Sequence, residues 1–220
     1  MRINIAIDGP SASGKSTVAR ELCERLGYKH LDTGAMYRCV ALKVVNDDID
    51  INNEKKLKKC LKDIDIRIDD EGKVFLNDED VTLRIRTDEI SMMASNVSTK
   101  KIVREFLISL QQKIAEEKGY VMDGRDIGTV VLPNAELKIY LTASVDARAK
   151  RRYLENKEKG LNSDLQTLKN EIIARDYQDT HRKYSPLRQA PDAILIDSSD
   201  MSKAEVVEEV MRLAEEFTEE

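Results

Sequence analysis

Apolar residues in this chain gather into five short runs separated by longer stretches of helical period. The runs are INIAID (3–8), YKHLD (28–32), YVMD (120–123), LKIYLT (137–142) and AILID (193–197). Neither face of these runs is consistently polar, so they read as buried strands of a parallel sheet. Between them, Val18, Leu22 and Leu26 form one helical stripe, Leu107, Leu110 and Ile114 a second, and Val206, Val210 and Leu213 a third. Two capping boxes, Ser163 with Gln166 and Ser202 with Glu205, predict helix starts. Strands alternating with helices predict an α/β sandwich.

One segment breaks this rhythm. IDIRI (64–68) alternates, DDEG follows, and VFLN (74–77) resumes, which predicts a small β-hairpin inside an insertion at 63–87. A helical stretch over 88–118 follows it, and the acidic EEFTEE end reads as a fraying helix terminus.

The chain has 220 residues and 41% hydrophobic content, enough for a folded core and one or two domains. No apolar run approaches the roughly 20 residues of a membrane span, and no secretory leader precedes INIAID. A cytoplasmic protein is expected. The three cysteines, Cys23, Cys39 and Cys60, are scattered and read as buried thiols. His30 and His181 are too few for a histidine metal site or a Ser/His/Asp triad. The net charge of −5 does not fit a nucleic-acid-coating protein. Residues 148–188, however, carry 11 Lys and Arg against 6 Asp and Glu, a local positive field suited to small anions.

The chemistry starts at GPSASGKST (9–17), which matches GxxxxGK[ST], follows a predicted strand and opens a predicted helix. In such a P-loop, backbone amides and the positive helix end surround a polyphosphate. Lys15 supplies a mobile charge, and the Ser16 hydroxyl can reach Mg²⁺. Asp123, at the tip of YVMD, is placed to support that Mg²⁺ through its waters. The nearest match to a guanine-reading NKxD motif is NKEK (156–159), with no strand before it, so a guanine switch is unsupported. A phosphotransferase needs cations between donor and acceptor instead. On a helix starting near Asp164, the stripe Leu165, Leu168, Ile172 continues as Arg175, Asp179 and Arg182, so charges take over an inward face. Arg148, Arg151 and Arg152, followed by Glu155, Lys157, Glu158, Lys159 and Gly160, suit a lid that excludes water. LDTGAMYR (31–38) offers Thr33, Tyr37 and Arg38 at a strand's carboxyl end, where open α/β sheets bind ligands. Arg125 and Asp126 in DGRDIG, and Ser95 and Arg104 in SNVSTKKIVR, add further polar groups.

GPSASGKST, LDTGAMYR, DGRDIGTVV, ARAKRR and RDYQDTHR, in this order, resemble the bacterial cytidylate kinases of the nucleoside monophosphate kinase superfamily. The resemblance runs over essentially the whole chain. It implies phosphoryl transfer from ATP to CMP or dCMP on a P-loop kinase sandwich, with a five-stranded parallel sheet flanked by helices, a monophosphate-binding insertion and a helical lid. It further implies that Ser95, Arg104 and Asp126 read cytosine, that Arg175 and Asp179 lie at the ribose, and that Arg38, Arg125 and Arg182 lie near the phosphates. Thr33 stands where many relatives have serine and keeps the hydroxyl. With the motif reading, ATP falls to Gly9, Pro10, Ser11, Ala12, Ser13, Gly14, Lys15, Ser16, Thr17 and Arg151. CMP falls to Thr33, Tyr37, Arg38, Ser95, Arg104, Arg125, Asp126, Arg175, Asp179 and Arg182, and the catalytic cations are Lys15, Arg125, Arg152 and Arg182. The expected partition is a core of 1–33, 119–146 and 183–220, a monophosphate region of 34–118 and a lid with its flanking helix at 147–182. The family expectation is a monomer whose only partners are ATP and CMP or dCMP. A kinase of a small non-nucleotide metabolite and a non-enzymatic nucleotide switch remain as alternatives.

Overall fold

The structure, a computed structural model, describes residues 2–69, 71–158 and 160–218. Met1, Asp70 of the hairpin turn, Lys159 of the Arg-rich segment and the last two residues of EEFTEE lie outside the described residues. The chain divides into two compact units, Met1–Tyr28 with Lys118–Glu220, and Lys29–Glu117. Five strands form the main sheet: β1 (Ile5–Asp8), β2 (Lys29–Asp32), β6 (Tyr120–Gly124), β7 (Leu137–Thr142) and β8 (Ile194–Asp197), in the order β2-β6-β1-β7-β8. The expected α/β sandwich is therefore observed, one strand for each apolar run.

In the first unit β1 lies between β6 and β7, parallel to both, with Asp8 opposite Gly124 on one side and Tyr140 on the other. Ile5, Ile7, Val121, Ile139 and Leu141 are essentially inaccessible, as expected of strands covered on both faces. Helix α1 (Lys15–Leu26) lays Val18 and Leu22 on this core, and α8 (Lys203–Thr218) adds Val206, Val210 and Leu213. Leu26 is only partly buried at its rim. The outer strands depart from the expectation of burial on both faces: β8 buries only Ile196, leaving Leu195 55% exposed, and β2 buries only Leu31. Their edge positions leave them with less cover than the central strands.

Helix α6 (Val145–Glu158) and helix α7 (Leu165–His181) follow β7. The Ser202–Glu205 capping box forms as predicted, with each backbone amide donating to the other's side chain at 2.7 and 3.2 Å. The Ser163–Gln166 box does not. The Asp164 side chain caps α7 instead, accepting from the Thr167 amide at 2.7 Å, because aspartate one residue later offers a charged acceptor to the same orphan amides. Leu165, at the start of the predicted inward stripe, is exposed, whereas Leu168, Ile172 and Asp179 are buried.

The second unit holds α2 (Thr33–Asn46), α3 (Glu54–Lys62), α4 (Asp88–Val97) and α5 (Lys101–Ala115). Met36, Val40, Val44, Leu57, Ile85, Val97 and Leu107 are buried in it. The predicted α5 stripe is rotated: Val103, Arg104, Leu107 and Gln111 are buried, while Leu110 and Ile114 are half-exposed. The predicted hairpin is present as β3 (Ile66–Ile68) and β4 (Val74–Leu76), and a third strand, β5 (Glu79–Asp80), completes an antiparallel sheet. Two exposed acidic residues carry no alternation, so β5 left no mark in the hydrophobic pattern. All three cysteines are buried and free. Among the described residues no helix is long and apolar enough to cross a membrane.

Leu22 is fully buried where α1 meets the sheet. Leu22→Ala is expected to lower unfolding free energy by about 2–5 kcal/mol, with an unchanged denaturant slope in urea melts.

Candidate active site

The chain leaves β1 through a backbone that only glycine permits. Gly9 has φ +153°, and an added Cβ would lie 2.0 Å from the carbonyl oxygen of Leu141 on β7. Gly14, at φ +94°, then caps α1, and its carbonyl accepts from Thr17 and Val18 at 3.1 and 3.0 Å. Even Ala12 is left-handed, at φ 59°. Such strain in a non-glycine residue is held only where the surroundings fix the loop.

Lys15 is buried, and its ammonium donates to the Pro10 carbonyl at 2.7 Å and the Ser13 hydroxyl at 3.3 Å. Burial pushes its pKa down to about 7, and the nearby Arg125 charge pushes the same way, against Asp123, Asp8 and Asp179. The Ser16 hydroxyl, on the first turn of α1, donates to Asp123 Oδ2 at 2.7 Å. Thus the two residues expected at Mg²⁺ lie together. Two hard oxygens suit an ion that arrives on phosphates and keeps several waters. Among the described residues no group of three or more His, Cys, Asp or Glu is placed to hold a metal.

The Arg-rich face on α6 divides in two. Arg148 is buried: its Nε donates to the Ala143 carbonyl at 2.8 Å, and its Nη1 reaches the Ser11 carbonyl at 3.1 Å and Asp176 Oδ2 at 2.7 Å. It belongs to the frame of the loop and not to an open cationic face. Arg151 donates to the Ser13 carbonyl at 3.4 Å and to Ser198 Oγ at 3.1 Å. Arg152 is half-buried on the same helix. Asp176 and Ser198 went unnoticed in the sequence, since nothing in their local pattern shows that arginines from another element bind them.

Inward charges on α7 meet those after β6. Arg125 Nε donates to Asp179 Oδ2 at 2.8 Å, Arg182 Nη1 lies 3.9 Å from Asp179 Oδ1, and Arg182 Nη2 lies 3.5 Å from Asp126 Oδ1. Arg175 adds its field to the same carboxylate. Burial alone would raise the Asp179 pKa, but Arg125, with Arg175 and Arg182, outweighs it and holds the carboxyl below its ordinary value. For Arg125, burial opposes the charge, and Asp179 more than restores it, so its pKa moves up. These groups stay ionised in pairs, as buried charges must.

After Gly124 the chain enters a single π-helical turn, Ile127–Val131, as such turns often do at functional sites. Asp8 Oδ1 accepts the Ile127 amide at 2.8 Å and Oδ2 the Gly128 amide at 2.7 Å. The local sequence around Asp8, where INIAID meets the glycine-rich loop, gives no sign of these distant amides.

In the second unit, Asp32 caps α2 through the Ala35 amide at 2.9 Å and lies 4.0 Å from Arg38. Thr33 is buried at the first position of that helix. The Arg104 guanidinium lies over the Tyr37 ring, 5.5 Å from its centroid, and donates to the Ser98 carbonyl at 3.3 Å. Ser98 Oγ in turn donates to the Ser95 carbonyl at 2.7 Å. Tyr37, Ser95 and Arg104 are therefore brought to one neighbourhood, and Arg38 sits one residue from Tyr37 on the same helix.

Residues 5–216 match the model of the family described as Cytidylate kinase. The chain is 53% identical over 215 residues to a curated cytidylate kinase of Caldicellulosiruptor bescii, spanning 96% of this chain and 95% of that one. It is 48% identical over 218 residues to a cytidylate kinase of Bacillus subtilis, spanning 98% and 97%. Among solved structures, a shikimate kinase of Bacteroides thetaiotaomicron superposes over the whole of both chains with a TM-score of 0.50 at 10% identity, a likeness of fold alone. On the family match and these identities, the chain belongs to the cytidylate kinase family.

Proposed function

We propose that the chain transfers the γ-phosphoryl group of ATP to CMP or dCMP, yielding ADP and CDP or dCDP. What supports this most within the fold is the buried pair Arg125 and Arg182, paired with Asp179 and Asp126, with Arg125 close enough to Lys15 to depress its pKa. A switch would need the phosphate loop but not this second set of buried cations. The relatives carrying the name cytidylate kinase support the choice of acceptor.

The acceptor phosphate oxygen is already anionic, so neither a strong base nor a covalent enzyme intermediate is needed. The backbone N–H groups of the Gly9–Thr17 loop, Pro10 excepted, and the Lys15 ammonium hold the donor phosphates, with Arg151 and Arg152 over them. Arg125 and Arg182, with Arg38, balance the charge passing to the acceptor. Ser95, Arg104 and Asp126 contact cytosine, Thr33 and Tyr37 flank the nucleotide, and Arg175 and Asp179 hold the ribose. Asp126 accepts from the exocyclic amine, a donor that uracil lacks. Ser16 and Asp123 hold Mg²⁺, which when bound neutralises charge on the donor phosphates. In this reading 34–118 is the monophosphate-binding region, 147–182 contains the lid that excludes water, and 1–33, 119–146 and 183–220 are the core of a monomer.

ADP formation with Mg²⁺ and ATP, measured against CMP, dCMP, UMP, AMP, GMP, shikimate and gluconate, tests the reading. Fast turnover with CMP and dCMP alone is expected; equal ADP without acceptor would favour a switch or an ATPase. Lys15→Met is expected to cut kcat about 10²–10³-fold. It should leave the thermal midpoint level or higher, since it removes a buried amine whose charge burial already disfavours. Asp126→Asn should erode the preference for CMP over UMP while leaving the KM for ATP nearly unchanged.

The pH dependence follows from Lys15. Its folded pKa of about 7 lies below the ordinary 10.5, so at pH 8 the ammonium is largely deprotonated until a polyanion arrives. Binding should then take up about one proton. Calorimetry of ADP binding at pH 8, in buffers of different ionisation heat, is expected to show this uptake in the wild type and not in Lys15→Met; equal uptake in both would assign the proton elsewhere.

A further inference from the structure

We propose that Asp8 is a positioning residue for the acceptor nucleotide, acting through the backbone of Ile127 and Gly128. Asp8 is the last residue of β1 and is 4% exposed. Its sheet partner on β6 is Gly124. Only Arg125 and Asp126 lie between that register point and the two amides that the Asp8 carboxylate accepts, at 2.8 and 2.7 Å. The two residues are thus clamped at both ends, by the sheet on one side and by one carboxylate on the other. The carboxylate serves where an intrahelical partner cannot, because the first amides of a helical turn have no carbonyl behind them. Asp126 completes the turn from within, its carbonyl accepting from Val130 and Val131 at 2.9 and 3.1 Å.

The fit is close on the other side too. A Cβ at Gly128 would lie 3.4 Å from Asp8 Oδ2 and 3.2 Å from Cδ of the buried Lys138. Glycine there spares the peptide a tight contact with the Lys138 side chain. Because Gly9 follows Asp8 directly, the clamp also ties the donor loop to the acceptor loop by a single residue. This inference rests on the proposed roles of Arg125 and Asp126 at the acceptor.

The test is Asp8→Asn, whose amide keeps the shape but offers only one acceptor oxygen and turns an NH₂ group toward the other backbone amide. The KM for CMP is expected to rise by at least about tenfold, the preference for CMP over UMP to fall by a similar factor, and the KM for ATP to change less than about threefold. Hydrogen exchange at the Ile127 and Gly128 amides should quicken in step. An equal rise in both KM values with base preference unchanged would assign Asp8 to the phosphate loop instead and overturn the proposal, as would unaltered exchange at the two amides. If Asp8→Asn fails to fold, Gly128→Ala, whose Cβ is crowded by the Lys138 side chain at 3.2 Å, should shift the Gly128 peptide away from the carboxylate and give the same split between acceptor and donor; the lack of that split would overturn the proposal. Should the wild type phosphorylate a different acceptor, the base assignments fail, yet the split read with that acceptor still tests the clamp.

Discussion

The phosphate loop has almost no room to move sideways: an added Cβ at Gly9 would lie 2.0 Å from the Leu141 carbonyl. That close approach sets the loop against the β7 backbone as the chain leaves β1. Much else depends on it. With the loop held there, its carbonyls at Ser11 and Ser13 become fixed acceptors for Arg148 and Arg151, and α6 is tied to the cradle at its first turns. Arg148 also reaches Asp176, so α7 is bound into the same frame. The helix that carries Asp179, and that Arg182 ends, is therefore referenced through Arg148 and the Ser11 carbonyl to the loop that would hold the donor phosphates.

Charge is stored in this frame in paired form. Lys15 folds back on Pro10 and Ser13, Arg125 on Asp179, and Arg182 between Asp179 and Asp126. The arginine pairings satisfy buried charges that would otherwise be costly, whereas Lys15 meets only a neutral carbonyl and a hydroxyl. Each is also an interaction that an incoming phosphate or base could replace. Arg182 is anchored by a 2.7 Å hydrogen bond from its Nε to the Ser185 carbonyl, while its two carboxylate partners lie farther off, at 3.5 and 3.9 Å. The depressed pKa of Lys15 expresses the same situation, an amine waiting in a buried site for an anion to justify its charge.

Much of this was legible in the sequence, for physical reasons that differ from residue to residue. The P-loop could be read because its requirements are local: glycine where a Cβ collides, and a lysine and a serine at fixed spacing. The turn from leucine to charge along α7 could be read because helical period carries direction, and Asp179 is indeed buried beside Leu168 and Ile172 on that face. The Ser163 cap fails because the adjacent Asp164 offers a charged acceptor to the same amides. Arg148 was read as part of an open cationic face because its partners, at Ser11, Ala143 and Asp176, are backbone groups or distant in the chain. Nothing local marks Asp8, for the same reason: its two amide donors lie 119 and 120 residues away.

If the cradle and the paired cations pass a phosphoryl group directly from one nucleotide to the other, the stereochemical course at phosphorus records a single displacement. ATP made chiral at the γ-phosphorus with oxygen isotopes, turned over with CMP, should give CDP with inverted configuration, the mark of a single in-line displacement. Retention would require two displacements and a phosphorylated enzyme group, and would contradict a mechanism built on alignment and charge alone.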